Sequence, residues 1–199
     1  MSMAAPTGPR SGFSQVIVAS GHMVDRPDRA VTRFPAQAER DVADAVRTAL
    51  RDWDVGPGTL VISGGARGAD IIVAEAAIDL GATVWLLLAL PDDEFLESSV
   101  RLAGTDWEER FLALRRRCPT WTQAEVLGPQ PNGGGLAGVF ARNNAWCLEA
   151  GLAQGPPGEV RAVAVWDGGP GDGQGGTGDF VARARELDVE VKVIRPQSA

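Results

Sequence analysis

The stretch Val61-Ile62-Ser63-Gly64-Gly65-Ala66-Arg67-Gly68-Ala69-Asp70 runs an apolar strand into a glycine turn that opens a helix. Such a turn suits an anion. Glycines let the backbone fold tightly against a ligand, and the unpaired N–H groups and dipole at a helix N-terminus favour negative charge. A second instance lies between Trp166 and Phe180, where Asp167-Gly168-Gly169-Pro170-Gly171-Asp172-Gly173-Gln174-Gly175-Gly176-Thr177-Gly178-Asp179 separates another apolar strand from an amphipathic helix. Two turns of this kind predict a nucleotide site.

Outward from these turns, short apolar runs alternate with helical patterns, the signature of parallel strands joined by crossover helices. The expected fold class is α/β, a Rossmann-like three-layer sandwich with a mainly parallel central sheet. Strands are predicted at 15–20, 59–63, 83–88, 160–166 and 189–194, each rich in Val, Ile or Leu, with a weaker one at 124–127. A first helix over 36–53 places Val42, Val46, Leu50 and Trp53 on one stripe. The second, over 69–80, is apolar almost all round, which predicts cover on two sides and makes a homodimer the expected oligomeric state. The insertion 91–118 carries Trp107, Phe111, Leu114 and Cys118 at core spacing, and Pro129 to Gly135 reads as a loop. Residues 1–13 are expected to be a flexible N-terminus, 14–195 a single domain, and 196–199 a frayed end.

Composition narrows the chemistry. With 199 residues, 44% of them hydrophobic, the chain suffices for one domain with a sizeable core. The net charge of −7 argues against a broad electrostatic grip on nucleic acid. Residues 1–13 lack the continuous apolar core of a signal peptide, and nothing later approaches the roughly 20 apolar residues of a membrane span, so a cytoplasmic protein without membrane contact is expected. Cys118 and Cys147 have no metal-type spacing and are expected as reduced, buried thiols.

Two scarcities prune the enzyme classes: one lysine, Lys192, and one histidine, His22. A phosphate-binding P-loop needs Gly-Lys-Ser/Thr, and neither glycine turn contains lysine. A dinucleotide fold wants Gly-x-Gly-x-x-Gly and an acid ending the next strand, whereas Gly64-Gly65-x-x-Gly68 is spaced differently and residues 83–90 carry no acid. One histidine excludes multi-histidine metal sites, and Ser63 lacks the preceding glycine of a Gly-x-Ser-x-Gly elbow. No metal and no cofactor are expected.

In an open parallel sheet the ligand sits beyond the carboxyl ends of the strands, where strand order reverses. The first strand delivers Gly21 and His22 to that edge, the second Gly64 to Asp70, and the later turn Asp167, Gly175, Gly176 and Thr177. The loop 24–35 supplies Arg26, Arg29 and Arg33 as a candidate lid over a phosphate. Arg67, inside the glycine turn, is read as a ligand contact, while Asp70 suits ligand contact and a plain helix cap equally. Thr177 leans toward phosphate binding over a bare N-cap. For His22 a structural role weighs at least as much as catalysis, since sequence assigns it no partner.

These elements together resemble the SLOG superfamily, the Rossmann-like group that includes the DNA-processing protein DprA, the lonely-guy phosphoribohydrolases and the YspA-like proteins. The likeness spans most of the chain. It is greatest for the YspA-like members, whose Gly-Gly-Ala-Arg-Gly-Ala-Asp is similar to Gly64-Gly65-Ala66-Arg67-Gly68-Ala69-Asp70, whose Arg-Asn resembles Arg142-Asn143, and whose Gly-Thr-x-Asp resembles Gly176-Thr177-Gly178-Asp179. The segments 21–25, 33–35 and 95–100 are similar to SLOG-type modules of bacterial signalling proteins. The resemblance implies a pocket for a nucleotide or nucleotide-derived ligand, with the glycine turns on phosphate or ribose and Arg142-Asn143 near the base or sugar. It further implies a sensor or signalling module that passes occupancy to an effector protein partner through loop ordering.

The rival reading is hydrolysis of the N-glycosidic bond of a nucleoside monophosphate, as in the lonely-guy enzymes. Their Pro-Gly-Gly-x-Gly-Thr-x-x-Glu would put the acid at Phe180, leaving Asp179 one position early and turned by about 100° on a helix. Asp179, Glu75 and Asp70 are the catalytic candidates under that reading. A DprA-like grip on single-stranded DNA would need a positive groove and stacking aromatics, and the single basic run Arg115-Arg116-Arg117 reads as a solvated helix face.

Overall fold

The computed structural model describes residues 12–130, 135–170 and 173–196. The order of elements is β1 (Gln15–Gly21), α1 (Glu39–Asp52), β2 (Thr59–Ser63), α2 (Ala69–Asp79), β3 (Thr83–Leu88), α3 (Asp92–Phe95), α4 (Trp107–Arg117), β4 (Thr120–Thr122), α5 (Gln123–Leu127), α6 (Gly135–Gln154), β5 (Val160–Val165), α7 (Thr177–Glu186) and β6 (Glu190–Ile194). A 3-10 turn, Ala36–Ala38, leads into α1, and a π-helical turn, Leu96–Val100, follows α3.

The six strands form one parallel sheet in the order β4-β3-β2-β1-β5-β6. The chain walks outward from β1 to β4, then returns along α6 to lay β5 against the other side of β1. Strand order therefore reverses between β1 and β5, and a crevice opens at their carboxyl ends. The apolar runs are buried on both faces, as a covered parallel sheet requires. Ile17, Val61, Leu86 and Val163 face one core with α1, α2 and α4; Val18, Ile62, Leu87 and Ala162 face a second core with α6 and α7. This is the three-layer α/β sandwich the alternation of patterns implies.

Helix α2 explains its own composition. It lies on β1, β2 and β3 and is covered in turn by α1 and α4, so Ala69 to Ala74, Ala76 and Ala77 are all buried. Its apolar circumference is satisfied within the chain, which removes the ground on which a homodimer was expected. Arg110 of α4 fastens this layer: it donates to Glu75 at 3.0 and 2.7 Å and to Glu39 at 2.6 Å, and its guanidinium lies 4.0 Å over the Trp107 ring. The stripe of Trp107, Phe111, Leu114 and Cys118 is core, and both cysteines are free and buried.

One predicted strand is corrected. Residues 124–127 are helical, and the strand lies just upstream at Thr120–Thr122. Thr122 and Glu125 form a capping box, with the Thr122 amide and hydroxyl donating to Glu125 Oε2 at 3.0 and 2.7 Å, so the chain turns into α5 where an apolar run alone suggested continued extension. The expected loop residues 131–134, positions 171–172 of the second glycine turn, and most of both expected frayed ends lie outside the described residues. Among the described residues, no helix is long and apolar enough to cross a membrane.

Candidate functional site

A cavity of about 310 Å³ opens at the reversal point of the sheet. One wall comes from the carboxyl end of β1 and the start of α7: Gly21, His22, Gly175, Gly176 and Thr177. The opposite wall comes from the β2–α2 turn and α6 and includes Gly64, Asp70 and Asn143, with Phe95 and Phe140 as apolar surface. Arg33 reaches the cavity from the 24–34 loop.

That loop is a built element. Asp25 Oδ2 accepts the amides of Arg33 and Phe34, each at 2.8 Å, and the Asp25 amide donates to Phe34 O at 2.8 Å. Buried Val24 and Phe34 anchor its ends in the core. Of the three arginines expected to form a lid, Arg33 lines the cavity while Arg26 and Arg29 do not.

At the α7 wall, His22 Nε2 stands 3.0 Å from Asp167 Oδ1, and His22 Nδ1 stands 3.3 Å from Thr177 Oγ1. Burial raises the Asp167 pKa, but the His22 contact and the Gly169 amide outweigh it and hold the carboxyl below its usual range. An ionised Asp167 accepts, so His22 donates to it from Nε2 while Nδ1 faces the Thr177 hydroxyl. The array ties together the ends of β1 and β5 and the start of α7. The cap residue Gly176 brings no side chain to α7's first turn, whose amides have no intrahelical partners. Asn144 Nδ2 donates to Gly175 O at 3.1 Å and positions this turn.

The β2–α2 turn differs from expectation. Its amides are engaged within the chain: Gly65 donates to Ser63 Oγ at 3.2 Å, Ala66 to Asp70 Oδ2 at 3.2 Å, Arg67 to Ser99 O at 2.9 Å and Ala69 to His22 O at 3.2 Å. Asp70 thus occupies, from within, the place an anion would take. An ionised carboxylate there also repels phosphate. The Asp70 carboxyl is pushed up to about 7, chiefly by burial, with the Ala66 amide pulling the other way.

Several residues expected at the ligand lie elsewhere. The Arg67 guanidinium turns under the 24–34 loop, 3% exposed, and donates from Nε to Val24 O at 3.2 Å. Burial, and then the charges of Arg26 and Arg29, lower its pKa to about 10. Arg142 donates to Leu127 O at 2.7 Å and Gly128 O at 3.0 Å, bracing the end of α5. Gly65 faces Leu88 and Phe111, and Gly68 packs against the backbone of residues 22–24. The acid candidates are engaged too: Asp179 Oδ2 accepts the Gly175 amide at 3.1 Å, and Glu75 is bound by Arg110. Asp167 acts on the cavity through His22. Asn143 lines the cavity, but its Nδ2 is committed to Leu87 O at 2.9 Å.

Sequence reasoning did not single out Phe140 or Asn144. Both sit on the cavity-facing side of α6, and the run Arg142-Asn143-Asn144 was the available signal. Its neighbouring polar residues turn to different faces of the helix.

No family model matches the chain, and no curated protein matches it in sequence. Solved structures do match in fold. DNA processing protein A from Helicobacter pylori, described for its single-stranded DNA binding mode, is similar at 13% identity and a TM-score of 0.51, over 94% of this chain and 67% of that one. DNA processing protein A (DprA) from Streptococcus pneumoniae is similar at 15% identity and a TM-score of 0.51, over 94% of this chain and 51% of that one. The chain thus spans about half to two thirds of these relatives, and it shares their Rossmann-like fold.

Proposed function

We propose that this domain binds a nucleotide or nucleotide-derived ligand in the cavity at the sheet's reversal point and acts as a sensor, passing occupancy to a partner protein through the 24–34 loop. The observation that carries this reading is the cavity itself. Its roughly 310 Å³ lies at the small end of the range for ligand sites, and it sets a polar wall with an open helix start opposite an apolar wall. The phosphate belongs at α7, near Arg33 and His22, and the base between Phe95 and Phe140 toward Asp70. Hydrolysis of the glycosidic bond is less well supported, because Asp179 and Glu75 are held by Gly175 and Arg110. A grip on single-stranded DNA fits poorly with the net charge of −7; Arg115 of the basic run is itself paired with Asp92 at 2.7 Å.

The test is thermal denaturation with AMP, GMP, CMP, UMP and IMP and their nucleosides, followed by chromatography for free base. A nucleotide at a hundred times its Kd adds about 2.7 kcal/mol, which raises Tm by roughly 5–10 °C for a chain of this size. The expected result is such a rise with at least one nucleotide, a smaller one with its nucleoside, and no base release. No rise with any nucleotide, or steady release of base, overturns the reading.

Loop residues divide sharply under this model. Arg33→Ala removes a charge-assisted contact to phosphate, so nucleotide affinity is expected to fall about 10- to 100-fold. Arg26→Ala, outside the cavity, is expected to leave it unchanged. Equal affinities for wild type and Arg33→Ala by calorimetry would take the loop out of the site.

A further inference from the structure

Asp70 is the least compensated polar group of the cavity. The residue is 9% exposed, Oδ2 accepts only the Ala66 amide, and Oδ1 is buried with no hydrogen-bond partner among the described residues. Buried polar atoms are ordinarily paired, and an orphan in a cavity wall marks a place where something else supplies the partner. Oδ1 is sealed off as the carboxyl group stands, and rotation about the broad terminal torsion of the aspartate is what turns it to the cavity. Gly64 keeps that space open, since a Cβ there would lie 2.8 Å from Asp70 Oδ2.

The surroundings limit what arrives. Other hydrogen-bonding side chains near it are occupied: Asn143 Nδ2 by Leu87 O at 2.9 Å, and Ser99 Oγ by Ser98 Oγ at 3.0 Å. On this wall a ligand therefore meets the Asp70 carboxylate beside the apolar surfaces of Phe95 and Phe140. An ionised carboxylate accepts hydrogen bonds and donates none, so it favours an amino group and repels a carbonyl oxygen at the same position.

We propose that the Asp70 carboxylate reads the base, accepting a hydrogen bond from an exocyclic amino group, so that the site selects an amino-bearing nucleobase over its oxo counterpart. This rests on the nucleotide reading above and adds to it the class of base and the direction in which the ligand lies.

The isosteric pairs AMP with IMP and CMP with UMP test it, by calorimetry at pH 8 on wild type and Asp70→Asn. Wild type is expected to prefer the amino member of at least one pair by about tenfold or more, the factor a single well-made polar contact provides. In Asp70→Asn, whose oxygen stays on the Ala66 amide and whose NH₂ can only donate to the base, that preference is expected to vanish or reverse toward the oxo member. A wild type that binds nucleotides without amino preference, or a preference that survives Asp70→Asn, overturns the assignment while leaving nucleotide binding intact. A wild type that binds none of the four overturns the assignment, and one that also fails to bind GMP overturns the nucleotide reading with it. The variant's fold is checked by its circular dichroism spectrum, and Asp70→Ser, a smaller polar replacement, is expected to lose the preference in the same way.

Discussion

Asp70→Asn is expected to make the protein more stable at pH 8 and less stable at pH 3.5. A carboxyl whose pKa rises from 3.8 to about 7 on folding binds its proton more tightly in the folded chain than in the unfolded one. Between those values the folded state holds a proton that the unfolded state has released, so stability falls as pH rises from about 4 to about 7 and is level above. Integrated over that window, the penalty at pH 8 is about 4 kcal/mol. Asparagine keeps an oxygen for the Ala66 amide and never ionises, but it buries an unpartnered NH₂ at a cost of about 1–3 kcal/mol. The balance is a gain of about 2 kcal/mol at pH 8, or roughly 4–8 °C in Tm, and a loss of about 1–3 kcal/mol at pH 3.5, below both pKa values, where Asp70 is protonated in either state.

Other groups titrate in the same range with the opposite sign. Asp167 and Glu125 are held below their usual values and add stability as pH rises. The difference between variant and wild type at each pH isolates Asp70. Near it, Cys147 of α6 is pushed far above the ordinary thiol range and stays neutral; His22 lies on the facing wall, and the Arg67 guanidinium is turned away to Val24. Denaturation of the two proteins at pH 3.5, 5, 6.5 and 8 should give curves that cross. Curves that stay parallel would mean that Asp70 titrates normally. The sense of the effect matters for function, because a residue that lowers stability where it stands is the kind retained for binding a ligand.

The sequence carried the fold further than it carried the site. Five of six strands lie within one or two residues of their predicted bounds, because a covered parallel sheet writes itself as continuous Val, Ile and Leu. The miss at β4 has a local cause. A three-residue strand leaves too short a run to read, whereas Thr122-x-x-Glu125 was legible as a helix start. Arg67 and Arg142 misled for a different reason: position next to a glycine motif does not fix where a long side chain ends. That is set by carbonyls such as Val24 O, 43 residues away from Arg67, and Leu127 O, 15 from Arg142. Likewise the partner of His22 lies 145 residues away in Asp167, beyond any local pattern. The turn amides were counted as available because nothing in Gly64–Ala69 reveals that Ser63, Asp70, Ser99 and the His22 carbonyl accept them.

Gly68→Ala is expected to destabilise the chain by about 3 kcal/mol or more, lowering Tm by roughly 6–12 °C. Two costs add at this residue. Its backbone, at φ 90° and ψ −124°, lies where side-chain-bearing residues are strained by about 1–3 kcal/mol. A Cβ would also come within 2.6 Å of Val24 N and 2.8 Å of His22 O, which are main-chain atoms that no rotamer change relieves. Gly104→Ala separates the two costs: it has φ 76° with nothing within 4 Å of the added carbon, so only conformational strain of about 1 kcal/mol is expected. The excess at position 68 measures how hard the β2–α2 turn is pressed onto the end of β1. That contact carries the Ala69 amide to His22 O at 3.2 Å and, through His22, the contacts to Asp167 and Thr177. Displacing residues 22–24 should therefore also weaken nucleotide affinity, even at a temperature where the variant remains folded. Equal Tm losses for the two substitutions would mean that the turn and the strand end are not in register, and the cavity between them would lose its geometric basis.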